Sequence, residues 1–570
     1  MLMNKKVLFA LSVFLFSASV AHAQVSDAAR IQNEQQRLIN EEFRRQEIYR
    51  ATRKRPAAQE TPTASEEKAD ELSPTSCINI KKIEFEGNAE VCTKCIDATV
   101  AKYINQCLSL PQIDAMMLDI TNLYINEGFV TSRAYMSMPQ TKLKEGVLEI
   151  KIIEGKISKI EGVKKSEKFT AFPRLIGKTL NIRDIEQGLD QMNRLSSNKA
   201  TMSINPDEKQ NNFSKILIDN TPQGRSKLTL FSDNAGSKST GETRFGMRSL
   251  FENIFGINEQ VNMTYTLSPS QSRHHRNANS FALGVSIPYG YWTLTNNFSW
   301  SSYRTSFNLI NGDRFYSYGN STTNDISLER LLSRGQKHKI SLGGGLLYKT
   351  NSNYSKVLDY KTRNDVSSRD LTIVHLDAPM TFYSDYGMFY VKPSYYQGVR
   401  MFDSMRDKDY NYSQKAQYQA WKLYSYYNNY FGKINYTTTV EGMYSNDELF
   451  GSEAMYLGGE YTVRGFKEDS VQGDTAWTLR QDAKINLAHA FNSENKVLKG
   501  ITPGLFLDYG YAKSNHPNLK SETLAGAGAG VELNYGYFEG RISYAEPIHK
   551  PKHFEENHAW YIYTGIGIRF

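Results

Sequence analysis

Between about Ser226 and Phe570, apolar and polar residues alternate in short runs and never gather into one long apolar block. Phe281, Leu283, Val285 and Ile287 share one face of such a run, which stops at Pro288-Tyr289-Gly290; Trp292, Leu294, Phe298 and Trp300 follow. A period of two marks strands with a single apolar face. No run of about 18 apolar residues occurs beyond the N-terminal segment, which excludes a helical membrane protein. A membrane β-barrel remains open, because its strands alternate and leave mean hydropathy low, here -0.53. The 36 Tyr and 28 Phe concentrate in this half, as interfacial girdles require. Some 345 residues at about 20–22 per strand and connection give sixteen antiparallel strands, an even number with both barrel ends near the periplasm. On composition alone, a soluble β-rich secreted protein is the alternative. Strand boundaries between residues 308 and 430 are not fixed by the pattern.

The other end of the chain gives an address. Lys5 and Lys6, an apolar run from Val7 to Val20, and Ala21-His22-Ala23 together read as a secretory signal peptide over residues 1–23, cleaved after Ala23. The run is short for a spanning anchor. The formal charge of +8 is modest and basic residues are scattered among acidic ones, so nothing calls for nucleic acid.

Residues 24–53 are rich in Gln, Glu and Arg, and Ile31, Leu38, Phe43 and Ile48 supply only a thin apolar stripe. Such a helix buries little on its own, so it is either solvated or lies in a wet cavity. About 24 residues at 1.5 Å each span roughly 36 Å, enough to cross a pore of bilayer depth. Residues 54–76, rich in Pro, Ala, Ser, Thr and charge, read as a linker without structure of its own.

Two mixed units follow, over 77–155 and 156–222. In the first, apolar residues at Ile113, Met116, Met117, Ile120, Leu123 and Tyr124 have helical spacing, and Val147–Ile152 alternates as a strand. In the second, Leu180–Leu195 reads as an amphipathic helix with Asn181 as its N-cap. Asp184, Glu186 and Asp190 on that helix read as a solvated face rather than as acid/base catalysts. The four cysteines, Cys77, Cys92, Cys95 and Cys107, allow three pairings in an exported chain. Cys92-Thr93-Lys94-Cys95 is also half of a redox or zinc motif, but no second CxxC or His pair completes a metal set.

Near the C-terminus, Leu457-Gly458-Gly459 precedes Tyr461-Thr462-Val463-Arg464-Gly465-Phe466. Gly465 lets the backbone adopt a positive φ beside Arg464, which carries the guanidinium to the tip of a turned-in loop. Further on, Gly504, Phe506, Asp508 and Gly510 share one face of a strand whose other face is Leu505, Leu507 and Tyr509. An aspartate on the less apolar face suits a buried arginine.

Val463-Arg464-Gly465-Phe466 and Phe506-x-Asp508 resemble the paired motifs of the outer-membrane transporters that carry periplasmic POTRA domains. Tyr124-x-x-x-Gly128-Phe129-x-Thr131-Ser132-Arg133, with the strand ending at Glu154-Gly155-Lys156-Ile157, resembles the first POTRA domain of their two-partner secretion branch. Asp184-Ile185-Glu186-Gln187-Gly188-Leu189-Asp190-Gln191-Met192-Asn193-Arg194-Leu195 is similar to the helix of the second. The resemblance implies α+β POTRA domains followed by an all-β 16-stranded transmembrane barrel over 223–570. It implies a plug helix at the N-terminus, an in-folded sixth extracellular loop, and Arg464 and Asp508 as that loop's anchor on strand thirteen. It favours pairing Cys77 with Cys107 and Cys92 with Cys95. Phe570, closing a strand with Trp560, Ile562, Thr564, Ile566 and Ile568 on one face, resembles the C-terminal signal read by the barrel-assembly machinery. Gly526, Gly528 and Gly530 share the lumen face with Glu532 and leave room for a loop or a sliding polypeptide.

The function implied is export of a large, unfolded partner protein across a bacterial outer membrane, recognised by the POTRA domains and moved without ATP. No Walker glycine loop is present. The runner-up is an assembly insertase of the same superfamily. Ser/His/Asp catalysis is not indicated, because His274, His275, His549, His553 and His558 cluster in connections. No cofactor or metal is implied; the partners implied are the exported protein, outer-membrane lipid and the assembly machinery.

Overall fold

The computed structural model describes residues 31, 35–49 and 77–570, apart from 272–275, 309–311, 336, 359, 365–366, 468 and 555–559. The signal-peptide and linker readings lie outside the described residues, as does much of 24–53.

Sixteen antiparallel strands close into a barrel, from Ser226–Asp233 to Tyr561–Arg569. The eighth is interrupted: Tyr360–Arg363, Arg369–Asp377 and Met380–Tyr383 pair in succession with the long strand His338–Val357. That break falls in the stretch whose boundaries the residue pattern leaves open. The seam is continuous, with register pairs from Arg569↔Thr229 to Gly565↔Asp233. The terminal Phe570 extends it, exchanging backbone hydrogen bonds with Leu228 at 2.7 and 3.2 Å. Alternation along each strand sends Leu505, Leu507, Ile562 and Ile566 outward and exposed, and Phe506, Asp508 and Tyr563 inward and buried. No described helix is long and apolar enough to cross a membrane.

Two small α/β units precede the barrel. In the first, Lys82–Glu86 runs parallel to Val147–Ile153, which pairs antiparallel with Arg133–Met136, and helix Leu110–Asn126 covers the sheet. Tyr124, buried at the end of that helix, donates to Glu154 at 3.1 Å and meets Phe129 edge-on. Burial pushes the Tyr124 hydroxyl's pKa well up, so it remains a donor at any physiological pH. Gly155 has no room for a side chain, since a Cβ there would lie 2.3 Å from Thr131 Oγ1. The Tyr/Gly/Thr/Glu-Gly motif is therefore the joint between helix and sheet. Disulfides join Cys77 to Cys107 and Cys92 to Cys95, and no cysteine among the described residues is free. The second unit repeats the plan, with Lys156–Glu161 parallel to Phe213–Asp219 and antiparallel Thr201–Pro206.

The second unit's helix, Ile182–Asn193, does not face water as its acidic residues suggest. Asp190 pairs with Arg334 at 3.0 Å and Lys339 at 2.6 Å, and Asp184 accepts from Tyr291 at 2.7 Å. Gln187 and Gln191 both donate to Gly290 O in the Gly290-Tyr291 turn, the strand before it running on through Pro288 and Tyr289 rather than stopping there. Just beyond the helix, Glu252 accepts from the backbone of Ser196 and Ser197, each at 2.7 Å. The solvated-face reading is corrected: these carboxylates and amides bind the unit to the barrel turns beside it. Their partners lie 55 to 150 residues downstream, beyond any local pattern.

Candidate functional site: the barrel lumen

The segment between strands eleven (Ile434–Tyr444) and twelve (Thr475–Ile485) turns back into the barrel, held at its neck by the short pair Met455–Leu457 and Val471–Gly473. Gly458, Gly459 and Gly465 all have positive φ, at 129°, 96° and 100°. A side chain at any of these would be strained, so the reversal depends on glycine.

The loop brings Arg464 to Asp508 on the thirteenth strand, Ile501–Lys513. Arg464 Nε donates to Asp508 Oδ2 at 2.6 Å, Nη2 to Oδ1 at 2.7 Å, and the Arg464 backbone N–H to Oδ2 at 3.0 Å. Asp508 is 0% exposed and Arg464 8%. The guanidinium also lies 3.6 Å above the centroid of the Phe506 ring. Val463 and Phe466, both buried, pack with Leu457, Val471 and Phe554, and a Cβ at Gly510 would press Val463 at 2.8 Å. The Gly465 N–H reaches the Tyr563 hydroxyl at 3.2 Å.

Alternate glycines in the fourteenth strand, Glu522–Tyr535, make this approach possible. A Cβ on Gly526 would stand 1.9 Å from Arg464 O, and one on Gly528 would strike the Phe506 ring at 2.5 Å. Gly526 admits the loop backbone against the wall, and Gly528 admits the ring on which the arginine rests.

Sequence reasoning missed part of this set. Arg464 Nη1 also donates to Asp482 at 2.8 Å, and Arg480 approaches Asp508 at 3.9 Å. One buried arginine thus holds carboxylates from two adjacent strands. The available signal was the alternation of Thr478, Arg480, Asp482 and Lys484 against Trp477, Leu479 and Ala483, which puts the charged set on one face.

The described helix, 35–49, lies across the same lumen. Arg44 grips Glu441 on strand eleven with two hydrogen bonds, at 2.6 and 2.9 Å, and stacks over Tyr424. Glu42 accepts from Arg248 on the second strand, Arg244–Glu252, at 3.0 and 3.1 Å. Glu47 accepts from Lys392 at 2.8 Å and from Tyr390, both on the ninth strand, Gly387–Val399. Arg37 donates to Gly458 O and, at 3.2 Å, to Thr462 Oγ1, so helix and loop touch directly. Of the apolar stripe, Ile31 and Leu38 are buried and Phe43 and Ile48 half-buried; Ile39, also buried, completes it. Charged residues that look solvated in the sequence are what tie the helix to opposite walls.

His375 also lines this lumen, with Nδ1 2.6 Å from Asp377 Oδ2 and Nε2 3.0 Å from Asp325 Oδ1. Both ring nitrogens are occupied by carboxylates, so no hydroxyl stands where a triad needs its nucleophile. His549 and His553 lie at the end of strand fifteen and beyond it, while His274, His275 and His558 are outside the described residues. Among the described residues, no group of three or more His, Cys, Asp or Glu side chains is arranged to hold a metal ion.

Residues 212–533 match the family model described as haemolysin secretion/activation protein ShlB/FhaC/HecB. Residues 78–155 match a ShlB-type POTRA domain and 152–206 a further POTRA domain. The outer membrane transporter CdiB of Dickeya dadantii is 32% identical over 491 residues, 85% of each chain. The hemolysin transporter protein ShlB of Serratia marcescens is 29% identical over 435 residues, 75% of each chain. The solved structure of CdiB from Escherichia coli superposes with a TM-score of 0.80 at 28% identity, covering 95% of this chain and 98% of that one. CdiB from Acinetobacter baumannii, at 19% identity and a TM-score of 0.75, shares the fold.

Proposed function

This chain belongs to the haemolysin secretion/activation family of two-partner secretion transporters, with its barrel in the outer membrane and its POTRA domains in the periplasm, and on that basis we propose how it moves its cargo. The cargo is a large exported partner protein, unfolded in transit. It docks by adding a strand to an open POTRA sheet edge, with Lys82–Glu86 and Arg133–Met136 in the first domain and Lys156–Glu161 and Thr201–Pro206 in the second as candidates. Pairing there satisfies backbone groups before the segment enters the pore. Diffusion biased by folding outside the cell drives export without ATP.

At rest the helix is a plug and Arg464–Asp508 anchors the sixth loop beside it. The observation that carries this reading is the lumen itself: a polar helix tied to opposite walls, in direct contact with a loop held by a buried arginine. The helix is held by polar contacts that lumen water reaches and replaces at low cost once a polypeptide competes for the space, whereas the loop, fastened by a buried pair, is the firmer of the two obstructions. The insertase reading is disfavoured by the continuous pairing of the first and last strands, which leaves no open edge toward lipid.

A photo-crosslinking residue at Glu532, on the lumen wall beside Lys484, tests this. During export it is expected to capture the secreted partner encoded with this chain, and deletion of the chain is expected to retain that partner in the periplasm. Normal surface delivery without the chain, or depletion that instead strands unassembled barrel proteins in the periplasm, would overturn the reading.

A further inference from the structure

Strands five to eight rise well beyond the apolar band, and their outward faces change chemistry with height. Outward residues are identified by register. Tyr303, Phe315, Ser321, Asn351 and Asn353 are buried toward the lumen, while Ile326, Leu328, Leu342 and Leu376 are exposed on the other side. On that outer side the lowest row contains Trp292 and Arg330, paired across strands five and six. Twelve residues higher, Arg304, Tyr318, Tyr354 and Arg363 form one row, and Ser306, Tyr316, Lys356 and Lys361 form the next. Arg314, opposite Asn308, tops the patch. Twelve residues at about 3.3 Å each, tilted about 40°, climb about 30 Å, whereas the apolar band is about 25 Å tall. These cations therefore stand just above the hydrocarbon, at the level of outer-leaflet headgroups.

The rings and charges in these rows are organised together. Tyr318 and Tyr354 stack with centroids 5.6 Å apart at 18°. Lys361 Nζ lies 4.3 Å from the Tyr354 centroid and 5.4 Å from that of Tyr318, and Arg304 lies 4.8 Å from that of Tyr316. Among the described residues, no acidic side chain shares the rows. Asp370 faces Thr350, four residues lower, and Asp313 belongs to the connection before Arg314. Flat aromatic faces beside clustered cations are complementary to sugar rings that carry phosphates.

We propose that this outward patch binds the phosphorylated saccharide headgroup of an outer-leaflet glycolipid. Its height above the apolar band favours a lipid-anchored headgroup over a soluble ligand, because the acyl chains then lie against Ile326, Leu346 and Val374 directly below. The patch is separate from the lumen, so its loss tests nothing about transport.

The full-length protein in detergent is titrated with lipopolysaccharide, with dephosphorylated lipopolysaccharide, and with inorganic phosphate as competitor. The Arg304→Ser/Lys361→Ser/Arg363→Ser variant is expected to bind lipopolysaccharide about 30-fold more weakly, about half a decade for each cation removed from the headgroup's phosphates. The dephosphorylated form is expected to bind the native protein as weakly, and inorganic phosphate at equal concentration to displace nothing. Arg330→Ser, which removes an outward cation at the periplasmic rim, is the matched control and retains binding. Heat-modifiable gel mobility reports whether each barrel is folded, and the single variant Lys361→Glu serves if the triple variant is not. Equal affinity for both lipopolysaccharide forms, unchanged binding by folded variants, or displacement by inorganic phosphate would overturn the proposal, the last by assigning the patch to free anions.

Discussion

Arg464→Ala is expected to abolish secretion while leaving the barrel folded and inserted. Asp508 is fully buried, and all three of its short hydrogen bonds come from Arg464, two from the guanidinium and one from the backbone. Removing the side chain leaves one buried carboxylate without its counter-ion and strips Asp482 of the same partner. Breaking one side of a buried pair costs about 3–5 kcal/mol. That loosens the most buried fastening of a loop otherwise held by the more exposed Glu460–Arg541 and Lys467–Glu242 pairs, by Arg480 on Tyr461 O, and by the packing of Val463 and Phe466. The wall itself is untouched, because the strands flanking Asp508 remain paired along their whole length. Heat-modifiable mobility of the variant should match wild type while partner protein in the medium falls below detection. Asp508→Asn should behave alike, and Arg464→Lys should fail to rescue, since an ammonium lacks the planar fork that serves two aspartates at once. Wild-type secretion by Arg464→Ala would remove the anchor from the account.

The second large effect concerns the helix. Arg44→Ala, Glu42→Ala and Glu47→Ala combined remove its ties to strands eleven, two and nine. These pairs are partly exposed to lumen water, with side-chain exposures between 14% and 30%, so each contributes about 1 kcal/mol or less. Together they bias the seated state by about 2–3 kcal/mol, which is roughly 30- to 150-fold in the ratio of seated to free helix. The triple variant should therefore raise single-channel conductance and open time in planar bilayers and sensitise cells to large antibiotics. Restoring Arg44 alone should recover part of the closure. Unchanged conductance in the triple variant would assign the resting block to the loop alone.

Local patterns carried much of the fold. Two-residue alternation exposed the barrel wall, and the Tyr124-to-Arg133 and Glu154-Gly155 motif exposed the first periplasmic unit. Gly526, Gly528 and Gly530 showed by their spacing where side chains had been cleared. Contacts between distant parts of the chain were invisible. Nothing near Glu42, Arg44 or Glu47 points to Arg248, Glu441 or Lys392, hundreds of residues away, and an isolated reading gives those charges to water. Asp190 misleads for the same reason, since its cations sit on barrel turns. Asp482 was within reach, two residues from Arg480 on a strand of plain alternation. It does not stand out, because a charged residue on a lumen face needs no special partner until the loop folds in above it.

In the proposed transport cycle the helix must leave the lumen for cargo to pass. Because the native cysteines among the described residues are already paired, Arg44→Cys and Glu441→Cys can be joined selectively by a short bifunctional maleimide across the span of the present ion pair. Secretion measured with a cleavable and a non-cleavable linker decides the matter. Both linkers are expected to stop secretion and cleavage to restore it; undiminished export with the helix covalently held to strand eleven would show that cargo passes without its departure.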